Sequence, residues 1–337
     1  MKNETREKFE AYVEKVAELN GVPSATVKFT ATPTIQQTLE TKMQESSDFL
    51  KSINIVGVEE MEAEKVGLGI GAPVASNTDT TDKDRQTKDP TSLDALGYKC
   101  RKNNSDTHLG YAKLDQWAKF KDFQTRIRDV ILRRQALDRI TIGFNGTHYA
   151  VDSDLATYPL LQDVNIGWFE KYRLDAPARV LDEVVAASGV IDVFAGGDYE
   201  NLDALVFDAV NNLIDPWYRK DTQLVAIMGS DLLTDKYFPI INQQQPSSEV
   251  LASDMIISQK RVGGVPAVTV PFVPNGSILV TRLDNLSVYF QDGKRRRLIK
   301  DNPARDRIEN YESSNDAYVI EDYGLGCLIE NINTTAP

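Results

Sequence analysis

The stretch LDQWAKFKDFQTRIRDVILRRQALDRI, Leu114–Ile140, contains neither proline nor glycine. At 1.5 Å per residue it predicts a single helix about 40 Å long, where an ordinary globular helix has about 11–12 residues. On a 3.6-residue wheel Trp117, Phe120, Phe123, Ile127, Val130, Ile131 and Leu137 form a wide apolar stripe. Leu114, Ala118, Leu132 and Ala136 gather on nearly the opposite side, and Arg126, Arg128, Arg133, Arg134 and Arg139 fill much of the remainder. A rod apolar on two sides is gripped from two sides. Gly143 and Asn145-Gly146 are expected to end it, as glycine and asparagine do at helix C-termini.

On the N-terminal side, Phe9, Tyr12, Val13, Val16 and Leu19 line one face of a helix that Asn20-Gly21 stops. A terminal helix this short is not stable alone, so it either joins the core or docks on a partner. The segment around Val27–Thr32 reads as loose. A short helix then leads into a strand at Ile53–Val58. From Ser76 to Asp106 large apolar residues are scarce, with Leu93, Leu96 and Tyr98 among the few. A polar stretch of that length is unusual inside a compact domain. Flanked by strand-like pieces, it reads as an extended hairpin arm.

On the C-terminal side, GWFEKYRLDAPARVLDEV supplies more helix. A further helix follows with Leu202, Leu205, Val206, Ala209 and Leu213 on one face, capped by Asp198 or Asn201 and stopped by Pro216. QLVAIMG reads as a buried strand, SDLLTDKYFPII as a capped helix, and MIISQKRVGGVPAVTVPFVPNGSILVT as strands broken by turns. Asp292-Gly293 in LSVYFQDGKRRRLIK signals a hairpin, and two or three strands close the chain. Helices and strands are mixed but segregated, the α+β pattern.

The 337 residues suffice for two domains or one large one, and 41% hydrophobic residues allow a sizeable core. No run approaches the ~20 apolar residues of a membrane span, and the N-terminus lacks a signal-peptide core. The chain is expected to be made and kept in a cytoplasm. Two distant cysteines, Cys100 and Cys327, offer neither a disulfide framework nor a zinc site. A net charge of −12 opposes general affinity for nucleic-acid phosphates, so isolated subunits are expected to bind duplex DNA weakly.

Catalytic constellations are absent. His108 and His148 lie in polar stretches without metal-ligand spacing. Gly67, Gly69 and Gly71 echo a phosphate loop but lack the following Gly-Lys-Ser/Thr. Asp198, Asp203 and Asp208 fall on different faces of one helix and read as cap and solvent residues. The basic patch GKRRR, Gly293–Arg297, reads as an ion-pairing contact with an acidic neighbouring subunit. No catalytic, cofactor-binding or metal-ligating residue is assigned, and enzyme activity is not expected.

The chain resembles the major capsid proteins of P-two-like tailed phages, of the Hong-Kong-97-type capsid fold. The resemblance runs almost end to end. It rests on the order and spacing of ETREKFEAYVEKVAELNGV, MQESSDFLKSINIV, DFQTRIRDVILRRQALDRITIGFNG, GGDYENLDALVFDAVNNLIDPWY, DKYFPIIN, IISQKRVGGVPAVTVPFVP, LDNLSVYF and DRIENYESSNDAYVIEDYGLGCLIE. It implies an N-terminal arm at 1–50, an extended E-loop hairpin at 51–110 that lies across a neighbour, and an axial A-domain at 196–302. It implies a peripheral P-domain at 111–195, with the spine helix at 111–143, completed by sheet strands at 303–337.

The implied function is self-assembly as hexamers and pentamers into an icosahedral virion shell enclosing double-stranded DNA, formed in the bacterial host cytoplasm. Implied partners are further copies of the chain, a scaffolding protein, a maturation protease, a portal protein and enclosed DNA that is not bound tightly or sequence-specifically. No membrane and no cofactor are implied. Protease trimming of the family's N-terminus would fall near Val27–Thr32. Some distant relatives crosslink an E-loop lysine, but no motif marks Lys83 or Lys88 as reactive. Two alternatives are an encapsulin-like nanocompartment shell and a cytoplasmic α+β metal-dependent hydrolase built on the clustered aspartates.

Overall fold

The computed structural model describes residues 1–64, 69–70, 75–87, 91–92, 97–120, 122–234, 236 and 260–335. Gly67, Gly71, Lys88, Leu93, Leu96, most of DKYFPIIN and the residues before Lys260 in MIISQK lie outside them.

One strand, Arg307–Ile320, organises a long sheet. Its even-numbered residues from Ile308 to Ile320 share one face and its odd-numbered residues the other, as the period of two requires. Along one edge run Leu286–Gln291, antiparallel to 316–320, and Arg296–Asn302, antiparallel to 307–313. Along the other edge, Arg101–Asn104 pairs with 313–316 and Thr107–Gly110 with 307–310. Asn54–Val58 adds a parallel strand beside 287–291, and Phe29–Thr30 an antiparallel one beside 296–297.

The expected Asp292-Gly293 hairpin is therefore absent. The two runs flanking it do not pair with each other; both pair with the same strand, and residues 291–295 bulge out opposite Ser314 and Asn315. Gly293, in the left-handed region at φ 66°, accommodates the bulge. The local hairpin signal loses to the length of the strand opposite. The true turn is at Pro303–Arg305, closed by Asp306 in the left-handed region at φ 49°, which aspartate tolerates in turns.

A second sheet has the order Arg261–Val262, Val265–Thr269, Val225–Met228, Ile278–Thr281, Cys327–Ile329, Val180–Leu181. Its central strands are buried on both faces, which is why QLVAIMG is continuously apolar. Ala226, Met228, Ile278 and Val280 pack under the helix Leu202–Leu213, capped by Asn201 Oδ1 on the Ala204 amide at 2.9 Å. Ile227, Leu279 and Leu328 face the opposite way, into a core with Trp168, Tyr172 and Tyr318. The expected domain limits cut across these sheets. Strands 286–302, assigned to the A-domain, belong to the long sheet, and Cys327–Ile329 returns to the second. Asn54–Val58 and 101–110, assigned to the E-loop, are also long-sheet strands.

The rod is not continuous: helices run Tyr111–Trp117 and Phe123–Asn145. At the break Lys8 Nζ donates to the Ala118 carbonyl, and Arg126 Nε donates to both Asp122 carboxylate oxygens at 2.9 Å. Phe120 turns outward with the Arg126 guanidinium 4.0 Å from its ring centre, and Val130 is also exposed. A tertiary partner for a helix-end carbonyl interrupts a sequence that contains no breaker. The grip from two sides holds for helix Phe123–Asn145, whereas Leu114 and Ala118, expected opposite the Phe123 stripe, pack with it across the break. Leu114, Ala118, Phe123, Ile127 and Ile131 pack with Phe9, Tyr12 and Val16 of the N-terminal helix Asn3–Asn20 and with Ile299 and Ile308. Leu132, Ala136 and Ile140 join the Trp168 core. The N-terminal helix thus finds its partner in its own chain. The segment 27–32 is not loose either: Ala25, Phe29 and Ala31 are buried, and the Ala31 amide donates to the Arg295 carbonyl at 2.9 Å.

Gly143 does not terminate the spine; it lies inside it, and a Cβ there would sit 2.3 Å from the Trp168 ring. Trp168 is fully buried and its Nε1 donates to the Ser287 carbonyl at 3.1 Å, so the ring cannot retreat. Gly143→Ala gains ~1 kcal/mol of helix propensity and loses about 1–3 kcal/mol to overpacking. The net expectation is a lower urea midpoint for the unassembled subunit; an unchanged or higher midpoint would contradict this packing.

Candidate functional site: the charge junction and the projecting arm

A cluster of buried charges lies where the spine, the long strand and the N-terminal arm meet. Helix Pro33–Glu45 carries Glu40 inward. One turn of the spine presents Gln135 and Arg139, and the helix-facing side of the long strand presents Glu312 and Asp316. The bulge delivers Arg295. Arg295 donates through Nη1 to Glu40 Oε1 at 2.6 Å, through Nε to Glu312 Oε1 at 2.6 Å, and through Nη2 to Gln135 Oε1 at 3.0 Å. Arg139 forks onto both Glu40 oxygens and reaches Asp316 Oδ2 at 3.4 Å, and Arg297 lies 3.6 Å from Glu312 Oε2. The same helix latches the bulge by backbone: Gln36 Nε2 donates to the Gln291 carbonyl at 3.0 Å, and the Gly293 amide donates to Gln36 Oε1 at 2.9 Å.

Each buried ion costs several kcal/mol to desolvate, and only close pairing offsets this. Burial pushes the Glu312 carboxyl up, but Arg295 and Arg297 outweigh it and hold the pKa at about 2. Burial opposes ionisation of Glu40 as well, and Arg139 and Arg295 prevail, so its pKa is lowered. Asp316 goes the other way: burial raises its pKa more than Arg139 lowers it. Asp316 Oδ1, Gln135 Nε2, Tyr318 Oη and Asn103 Oδ1 have no hydrogen-bond partner among the described residues, and their side chains border a cavity of about 200 Å³. A polar cavity of that size has room for water.

The arm leaves from the far end of the long sheet. Glu62–Glu64 pairs with Gly97–Lys99, and Gly69–Ile70 with Thr91–Ser92. Tyr98 and Ala63 pack on Ala317, Val319, Val58 and Tyr289, while residues 75–87 are exposed throughout. The expected hairpin arm is present, but its return half is not peripheral: Cys100 is fully buried and 101–104 is sheet.

The basic patch is corrected as well. Arg295 and Arg297 pair within their own chain, while Lys294 and Arg296 are exposed. The sequence contained the clue: Glu312 and Asp316 share a strand face with Ile308, Tyr318 and Ile320 and so are buried acids in need of cations. The other singled-out residues do not converge. His108 lies in an edge strand opposite Glu309, and His148 contacts Thr147 Oγ1 at 2.9 Å. Asp198 accepts from the Asp192 amide, Asp203 from Lys236 and the Gly263 amide, and Asp208 from the Tyr199 hydroxyl. Both cysteines are free and buried, their thiols pushed up to about 12 by burial. Among the described residues no cluster of His, Cys, Asp and Glu is placed to hold a metal, and no helix is long and apolar enough to cross a membrane.

The family of phage major capsid proteins of the P2 type matches residues 8–332. The chain belongs to that family. Capsid proteins of Escherichia phage P2 are 53% identical to it, covering 98% of this chain and 95% of theirs. The major capsid protein of Serratia phage KSP20 is 42% identical over 100% of this chain and 99% of its own. Among solved structures, the satellite phage P4 procapsid with its size determination protein contains a chain 50% identical, with a TM-score of 0.83 and 99% of both chains covered. The capsid of an empty GTA particle shares the fold, with a TM-score of 0.51 at 16% identity over 86% of this chain and 90% of that one. This major capsid protein of the P2 family therefore has the Hong-Kong-97-type fold and forms the virion shell.

The junction has a pH signature. Glu312, at about pKa 2 when folded and ~4.3 when unfolded, contributes stability that is complete above ~4.3. That contribution is lost as pH falls toward about 2. Denaturant midpoints measured from neutral pH downward should fall in that window, and Glu312→Gln should start lower and flatten the fall. An equally steep acid limb in the variant would contradict the assignment.

Proposed function

We propose that this chain acts without enzymatic activity, as the plate from which hexamers and pentamers of an icosahedral shell are built around double-stranded DNA. In this reading the long sheet with the spine is the peripheral domain, and the second sheet with helix Leu202–Leu213 is the axial domain. Residues 59–99 are the loop that crosses to a neighbour, and 1–50 the N-terminal arm. A scaffolding protein, a maturation protease and a portal are the expected assembly partners, and the DNA is enclosed without tight, sequence-specific contacts. The P4 procapsid, in which a similar chain occurs together with a size determination protein, supports assembly in the company of accessory proteins.

The observation that carries the proposal is a paired hairpin leaving a two-sheet body, with its 75–87 segment exposed. Ordering such a segment costs about 1–2 kcal/mol per residue in backbone entropy alone, which contacts to a neighbouring copy would offset. The nanocompartment alternative loses to 53% identity with a phage P2 capsid protein, and the hydrolase to the dispersal of its aspartates.

Replacing 75–87 with a short Gly-Ser turn, leaving 97–110 in the sheet, should leave the subunit's melting temperature within about 2 °C. Closed particles counted by electron microscopy should be lost. Normal, robust particles from the shortened chain would contradict this role for the arm.

A further inference from the structure

Beside the bulge, the face of the long sheet turned away from the spine presents exposed Arg296, Lys300 and Tyr311. Among the described residues, the arm's own base covers one end of this face, where Tyr98 and Ala63 sit on Ala317 and Val319. Towards the other end, a groove of about 380 Å³ is floored by Leu298 and Tyr311 and bordered by Lys28, Lys102, Arg296 and Lys300. All four cations are exposed, and none forms an ion pair among the described residues. Of the nearby acids, Glu309 accepts from Arg307, Asn302 and Tyr311, and Glu312 is in the junction; Asp106, also in the lining, accepts from the Glu312 amide and leaves the four cations in excess. In a chain of net charge −12 this concentration of free positive charge stands out.

The complementary feature lies at the arm's base. In VEEMEAE, Val58–Glu64, the side chains of Glu59, Glu60, Glu62 and Glu64 are exposed around an exposed Met61. Only Glu62 has a cation among the described residues, Lys99. An acidic segment with one apolar residue matches a basic groove with an aromatic floor in both charge and polarity, and a methionine over a tyrosine ring is a favourable contact. The chain cannot make this match with itself. Its own acidic segment is anchored near Ala317, roughly 20 Å along the strand from Tyr311 at ~3.4 Å per residue.

We infer that the Lys28–Lys102–Arg296–Lys300 groove receives the Glu59–Glu64 segment of a second copy, setting which copies pair and in what register. This rests on the shell assembly proposed above. Like charges placed opposite each other across an interface cost several kcal/mol, so either reversal alone should be severe. K102E/R296E/K300E, and separately E59K/E60K/E62K, should lower the yield of closed particles at least about tenfold. One chain carrying all six changes should recover assembly, because each reversed arm then meets a reversed groove. Independently, E62C with R296C in one chain should give disulfide-linked chains on non-reducing gels of assembled particles and none from unassembled subunits; Cys100 and Cys327 are buried and do not compete.

Normal particles from the groove reversal would overturn the inference while leaving the shell function intact. So would a folded six-change chain that stays unassembled, or assembled particles without crosslinked chains. Normal particle yield with reduced DNA retention would assign the groove to nucleic acid and overturn it as well. An unaltered chain that forms no particles would instead remove the assembly reading beneath it.

Discussion

Arg295 enters the interior because residues 292–295 leave the sheet ladder, and once inside it can be stable only between carboxylates. Glu40 and Glu312 supply them, Arg139 binds Glu40 from the spine, and Gln36 holds the bulge open by its backbone. Four chain segments far apart in sequence are thereby fixed to one point. None of these charges could be buried without the others. The junction costs stability in its desolvation and returns it in geometry: it sets the N-terminal arm against the spine, and the spine against the one strand that every other strand of the long sheet builds upon.

That geometry suits a shell plate. The Trp168 core couples the spine to both sheets, while the junction keeps the N-terminal helices on the same body. The base of the hairpin is tied into paired backbone at 97–99, 101–104 and 54–58, which fixes where the arm leaves the sheet.

Much of this was legible in the sequence, and the failures share a cause. Periodicity located the spine's helix, and continuous apolar runs located the buried strands, because burial writes directly into residue type. The Gly21 stop was readable because a left-handed C-cap favours glycine, and of the two cap candidates Asp198 and Asn201 it is Asn201 whose side chain accepts the free amide. The spine's interruption was not, because it depends on Lys8, more than one hundred residues away, reaching the Ala118 carbonyl. Asp292-Gly293 carries a local hairpin signal, yet a strand of 14 residues opposite it decides the pairing. Gly143 looked like a stop because only the folded chain brings Trp168 against it. Arg295 and Arg297 looked like surface cations because alternate residues of GKRRR point to opposite faces, and composition does not record which. The sheet boundary near residue 282 was hidden for a related reason: both sheets are built of similar apolar strands.

The central claim is that Glu40 holds the bulge, the N-terminal arm and the long sheet together as one unit. Amide hydrogen exchange on the unassembled subunit carrying Glu40→Ala tests it directly. Protection should fall together at Ala31, Gln36, Gly293 and Ile299, whose amides donate to Arg295, Thr32, Gln36 and Ala25 respectively. Loss confined to helix Pro33–Glu45, with Gly293 and Ile299 as protected as before, would contradict it.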